Sequence, residues 1–134
     1  MFIERMLNEG NGPLLEQWLR FTESRHRLIA ENVVNLSTPG FQQKDLDENK
    51  FRGMLRERTD ARAAAANPSE VAFDDIGMDA EEPERGLLFH DGQTRSVEQL
   101  MTDQAKNAMT HNLVVELLRK QYAALDMALK EKPM

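Results

Sequence analysis

Cysteine is absent from the 134 residues, so no disulfide framework holds this chain together and no thiolate is available for catalysis or metal binding. Aromatic residues are scarce: six Phe, one Tyr and one Trp are too few for a large aromatic core. No stretch approaches the roughly 18–20 consecutive apolar residues that cross a bilayer, so the chain is expected not to span a membrane. The start, Met1-Phe2-Ile3-Glu4-Arg5, has neither the long apolar block nor the small-residue cleavage site of a secretory leader. Any export is therefore expected to use a route that leaves no cleaved signal. There is also no Gly-rich phosphate loop, no nucleophile elbow and no basic patch with interleaved aromatics. A net charge of -6 argues further against general affinity for nucleic acid.

Eight Met with abundant Leu and Ala favour helix over sheet. Charge divides the chain unevenly. Residues 1–58 carry nine acids and nine bases, residues 59–92 nine acids and two bases, and residues 93–134 five acids and six bases. Two nearly neutral ends built for packing thus flank an acidic, solvated centre. The boundaries that follow are 1–41 for an N-terminal helix and turn, 42–92 for an irregular acidic middle, and 93–134 for a C-terminal helix.

Asn11-Gly12-Pro13 reads as a helix start, with Pro13 where its missing donor is harmless. Leu15, Leu19, Thr22, His26, Ile29, Val33 and Leu36 then recur at alternating spacings of four and three, a heptad stripe widened by Trp18, Phe21 and Leu28. Thr38-Pro39-Gly40 stops the helix near Leu36, because Pro39 pushes Thr38 out of helical geometry and Gly40 accepts positive φ. Phe51, Met54 and Leu55 indicate a short helix through about Arg58. Val71-Ala72-Phe73 and Leu87-Leu88-Phe89 read as short β segments, and Asp74 to Arg85 as locally disordered. Ser96 with Gln99 forms a capping box that opens the longest element. There Val97, Met101, Gln104, Ala108, His111, Val115, Leu118, Tyr122, Leu125 and Leu129 repeat the four-three spacing to about Glu131. The expected fold is mainly α: two long terminal helices in an antiparallel, coiled-coil-like hairpin around an irregular middle. Two such stripes leave apolar surface that assembly with copies would bury, and a heterologous, non-closing contact gives a helical filament or tube.

Candidate chemistry is thin. His26, His90 and His111 have no i, i+3 or i, i+4 partner among themselves, so they read as packed or turn residues and not as metal ligands. Asp74-Asp75 and Glu81-Glu82 lack the ligand spacing of a calcium loop and read as a solvated acidic stretch. No catalytic residue, cofactor site or metal site is expected. The residues with a specific task are Asn32, Asn35, Thr38, Pro39, Gly40 and Phe41. Their amides and turn are expected to bond either the neighbouring subunit or the chain leaving the turn, and so to fix where Phe41 is delivered. Leu15, Leu19, Ile29, Val33, Leu36, Met101, Val115, Leu118, Tyr122, Leu125 and Leu129 are the expected subunit-packing positions.

The run Leu28-Ile29-Ala30-Glu31-Asn32-Val33-Val34-Asn35-Leu36-Ser37-Thr38-Pro39-Gly40-Phe41 resembles the N-terminal motif of bacterial flagellar rod and hook proteins, Ile-Ala-Asn-Asn-Ile-Ala-Asn-Ala-Asn-Thr-Pro-Gly-Tyr. The other end is similar to the same family at His90-Asp91-Gly92, Val97 to Met101, Asn107, and Leu117-Leu118-Arg119-Lys120-Gln121-Tyr122 through Leu125. Short length and the segment after the turn are most similar to a proximal rod member, with another rod protein as the alternative and a soluble helical adaptor or export chaperone behind it. The resemblance implies a non-enzymatic subunit of the periplasmic rod, exported through the flagellar type III apparatus and assembled helically to transmit torque. Its implied partners are other rod proteins, the adaptor between rod and membrane ring, and the export gate.

Overall fold

The structure, a computed structural model, describes residues 11–67, 70–73 and 96–131. Among these residues three helices follow in order: α1, Gly12–Val34; α2, Glu48–Ala64; and α3, Val97–Glu131. Among the described residues there is no strand: Val71-Ala72-Phe73, read above as a β segment, is irregular, and Leu87-Leu88-Phe89 and Asp74 to Arg85 lie outside the described residues.

Local chemistry explains the boundaries. Pro13 stands in the first turn of α1, where no donor is missed. Asp47 caps α2 by accepting from the backbone N–H groups of Asn49 (2.9 Å) and Lys50 (3.2 Å), satisfying two donors that the helix cannot. This cap, and the alanine-rich continuation after Arg58, carry α2 to Ala64, beyond the expected short helix. At α3 the capping box is complete: the Gln99 backbone N–H donates to Ser96 Oγ (3.3 Å), and the Ser96 N–H donates to Gln99 Oε1 (3.1 Å).

Helices α1 and α3 pack antiparallel. Leu15 clusters with Val114 and Leu118, flanked by Trp18 and Leu19, while two turns further along α1 Thr22 meets Asn107 and His111. The same register brings Ile29 level with Leu100, both fully buried. A second cluster covers the other side of α1: Phe21, Leu46, Phe51, Leu55 and Phe73, with Leu14, Trp18, Leu28 and Met54 against it. Phe21 and Phe51 stack at 4.3 Å between centroids, and Trp18 meets each of them edge-on, at 5.7 and 4.9 Å. Helix α1 is thus the central element, holding α3 on one face and α2 on the other.

The inward face of α3 differs from the expected stripe. Leu100, Asn107, Val114 and Leu118 are buried, whereas Met101, Ala108 and Val115, one position later, are exposed or half-buried. Pairs such as Leu100-Met101 and Val114-Val115 put apolar side chains on either choice, so spacing alone does not select between them. Asn107 does, because only that rotation lets its Nδ2 donate to the buried Thr22 carbonyl (2.8 Å).

Phe51 joins both the ring stack and the core, so Phe51→Ala should destabilise the chain by about 3–5 kcal/mol, read by urea denaturation. Met109→Ala, at a side chain 72 % exposed, should shift the midpoint of the dilute protein little.

Candidate assembly motif at the α1–α2 turn

The end of α1 is built by asparagine. Asn35, the last-turn cap, donates its backbone N–H (3.0 Å) and its Nδ2 (2.9 Å) to the Glu31 carbonyl, and its own carbonyl accepts from the Thr38 N–H (3.0 Å). Thr38 Oγ1 donates to Asn35 Oδ1 (3.2 Å), closing a local ring of bonds. The Phe41 N–H then donates to the Thr38 carbonyl (3.3 Å) across Pro39 and Gly40. Gly40 has φ +75, and a Cβ there would meet nothing within 4 Å, so glycine is needed for its backbone angle and not for space. The tip from Ser37 to Gly40 is exposed.

Asn32 faces inward. Its side chain, 2 % exposed, donates from Nδ2 to the Lys44 carbonyl (2.7 Å) and accepts at Oδ1 from the Lys44 N–H (3.1 Å). The primary amide imitates one rung of a β ladder: donor and acceptor in a plane, matched to one residue's C=O and N–H. Neither aspartate nor leucine can do this. The bonds made by Asn32 and Asn35 therefore run to the chain leaving the turn and to the helix's own last turn. Phe41 itself is half-buried.

Next to the clamp, Arg25 grips Asp45 with both arms of its fork, Nε to Oδ1 at 3.0 Å and Nη2 to Oδ2 at 3.2 Å, and the Leu46 N–H donates to the same carboxylate (2.8 Å). The two side chains are only 14 % and 7 % exposed. Burial is the largest influence on Arg25 and pulls its pKa down, but the hydrogen bond and charge of Asp45, with Asp103 and Glu48, outweigh it and leave the group above the ordinary arginine value. Spacing gave no hint of this pair, since twenty residues and a turn separate its members.

The expected packing positions fall into three environments. Leu15, Ile29 and Leu118 are buried within the chain; Leu19, Val33, Leu36, Val115 and Leu125 are half-buried; Met101, Tyr122 and Leu129 are exposed. Tyr122 Oη donates to Glu16 Oε1 (3.2 Å), and burial first, then this bond and the Glu16 charge, raise its pKa above the usual tyrosine value. All but one of the exposed large hydrophobic side chains among the described residues lie on α3: Val97, Met101, Met109, Leu113, Leu117, Tyr122, Met127 and Leu129, with Val34 at 80 % the exception on α1. Met101, Met109, Leu113 and Leu117 continue through Ala105 as one i, i+4 ridge on the side of α3 turned away from α1. From Asn107 to Val115 no residue is charged.

His111 takes a structural place. Thr22 Oγ1 donates its one proton to the Leu19 carbonyl (3.0 Å), so at the 2.9 Å contact with His111 it accepts, and His111 Nδ1 carries the proton. His26 is exposed, lining with His111 a cleft of about 240 Å³. Among the described residues no group of three or more His, Cys, Asp or Glu is placed to hold a metal ion, and His90 lies outside them. No helix among them is long and apolar enough to cross a membrane.

No protein-family model matches the chain. Individual relatives do. The flagellar basal body rod protein FlgB of Yersinia ruckeri is 24 % identical over 136 residues, an alignment covering 94 % of this chain and 99 % of the relative. The chain is FlgB-like. FlgB of Yersinia enterocolitica is similar to the same extent, 24 % over 136 residues with the same coverage. The likeness runs end to end, so it takes in the α1 turn, the middle and α3 together.

Asn32→Ala should lower stability by about 1–3 kcal/mol, because it strands a carbonyl and an N–H of Lys44, with Asn32→Asp no better, since its carboxylate would face the Lys44 carbonyl. Arg25→Ala, which leaves the buried Asp45 carboxylate without its counter-charge, should lose roughly 3–5 kcal/mol in the same denaturation assay. Nitrogen-15 NMR of the neutral imidazole should find His111 as the Nδ1–H tautomer; an Nε2–H signal would reverse the Thr22 hydrogen bonds.

Proposed function

We propose that this chain is a structural subunit of the bacterial flagellar proximal rod, non-enzymatic, placed in the periplasmic part of the basal body and packed helically with copies of itself and other rod proteins. The observation that carries the reading is α3: a long helix, in a chain similar throughout to FlgB, with apolar side chains on the face away from α1 as well as on the face against it. A helix with apolar side chains on two opposite faces needs cover on both, and one neighbouring helix covers only one side. Helix α1 differs, since Glu16, Arg20, Glu23, Arg27 and Glu31 are available for its solvent side. In the rod α3 would lie toward the packed interior and α1 would carry the turn.

The turn supplies the second contact. Its internal bonds hold Pro39 and Gly40 in an exposed, fixed tip, with Val34 and Leu36 beside it, so that each subunit would offer a neighbour the same rigid knob. Transmission of torque then depends on ridge-to-ridge packing and repeated turn contacts. Export would proceed through the flagellar type III gate, and the subunit would adjoin the adaptor between rod and membrane ring. The division into 1–41, 42–92 and 93–134 follows this plan, with the acidic middle outward.

Met109→Asp and Leu113→Asp test the reading, because both change side chains that the chain's own fold leaves 72 % and 60 % exposed. Circular dichroism of the purified variants should match the unsubstituted protein, while cells carrying either variant as their sole copy should fail to swim and lack the subunit in isolated basal bodies. Normal swimming would mean that the ridge is a solvated face. Gly40→Ala should destabilise the turn by about 1 kcal/mol and reduce swimming more than stability, with Gly40→Asn milder in both.

A further inference from the structure

We infer that the groove between α1 and α2 is a binding site for a short, bent, phenylalanine-anchored peptide, filled in this chain by its own residues 70–73 and equally able to take that segment from a second copy. This goes beyond the rod assignment and does not rest on it. Four of the five members of the aromatic cluster come from α1, α2 and the residue before the α2 cap: Phe21, Phe51, Leu55 and Leu46. The fifth, Phe73, 5 % exposed, comes from a turn-and-bend segment outside the α-helices.

What holds that segment is chemistry suited to reading a main chain. Arg62 Nε donates to the Val71 carbonyl at 3.1 Å, and Arg58 Nη1 donates to the Ala72 carbonyl at 3.5 Å. The Arg62 guanidinium also lies 4.7 Å from the centroid of the Phe73 ring, a cation–π contact. Two successive carbonyls and one aromatic pocket are thus engaged by three groups spaced along one helix face, Leu55, Arg58 and Arg62. Carbonyl recognition is indifferent to side chains, so the specificity sits in the phenylalanine. Val71 is half-buried and Ala72 exposed, so neither adds a second pocket. Every copy of the chain carries the same segment and the same receptor face, and exchanging identical segments between copies requires no new contact.

The experiment uses the full-length Phe73→Ala chain, whose pocket is vacated, and a capped peptide Glu-Val-Ala-Phe corresponding to residues 70–73. Trp18, the chain's one tryptophan, stands 4.9 Å from Phe51 at the pocket wall and reports occupancy by its emission. The peptide should give a saturable change that disappears with Glu-Val-Ala-Ala or when Arg62→Ala is added, and the unsubstituted chain should bind at least about tenfold more weakly because its own segment competes. No saturable response, or an equal response to both peptides, overturns the proposal. A second variant guards against loss of fold: in full-length Arg62→Ala, chymotryptic cleavage after Phe73 should accelerate on the order of tenfold while α1 and α3 keep their hydrogen-exchange protection. If protection in α1 and α3 falls together with that of the segment, residues 70–73 are an integral part of the core and the receptor site does not exist. Neither result touches the rod assignment, whose test reads the outer ridge of α3.

Discussion

One planar amide sets the geometry of the first half of this molecule. Asn32 leaves α1 pointing inward and meets both polar groups of Lys44, so the chain that departs at the turn is brought back against the helix it left. From that fixed point Asp45 falls within reach of Arg25, Leu46 enters the aromatic cluster, and Asp47 caps α2. Each of these consecutive residues makes a different kind of contact, and all need the same backbone position. The bond energy of the clamp is modest, but the residues it positions include a nearly dry ion pair and a core leucine, whose worth depends steeply on placement.

The two long helices solve different problems. Helix α1 has two employed faces within the chain, toward α3 and toward α2, and a charged remainder. Helix α3 has one employed face, marked by a polar layer of Asn107 and His111 against Thr22. Such a layer adds little net stability, since each group exchanges water for protein, but it makes sliding by a turn expensive by orphaning buried donors. Register is thereby specified in a helix whose hydrophobic pattern alone leaves its rotation open.

Helix starts, the turn and the presence of two long helices were legible in residue order because they depend on near neighbours: Pro13, the Ser96–Gln99 box, and Thr38-Pro39-Gly40. The identity of the inward face of α3 was not, since adjacent apolar pairs satisfy the same spacing in two rotations and a contact eighty-five residues distant decides between them. The motif asparagines were recognisable as a unit. Their division of labour, Asn35 on its own helix and Asn32 on Lys44, depends on where the chain goes after Gly40. Arg25 with Asp45, and Arg62 with Phe73, gave no local sign at all, because pairing across a turn has no fixed spacing. The extension of α2 to Ala64 lies beyond the last apolar marker, Leu55, and rests on the intrinsic helix preference of alanine, which leaves no periodic signal.

The outer surface of α3 carries a liability of its own. Met101, Met109 and Met127 expose thioethers to solvent until something covers them. Oxidation to sulfoxide turns a flexible apolar side chain into a polar, chiral one, which suits water and spoils close packing. Oxidative damage to the free subunit would leave its helices paired while making its outer face hydrophilic, and once neighbours close over the sulfur atoms the same chemistry would lose its access.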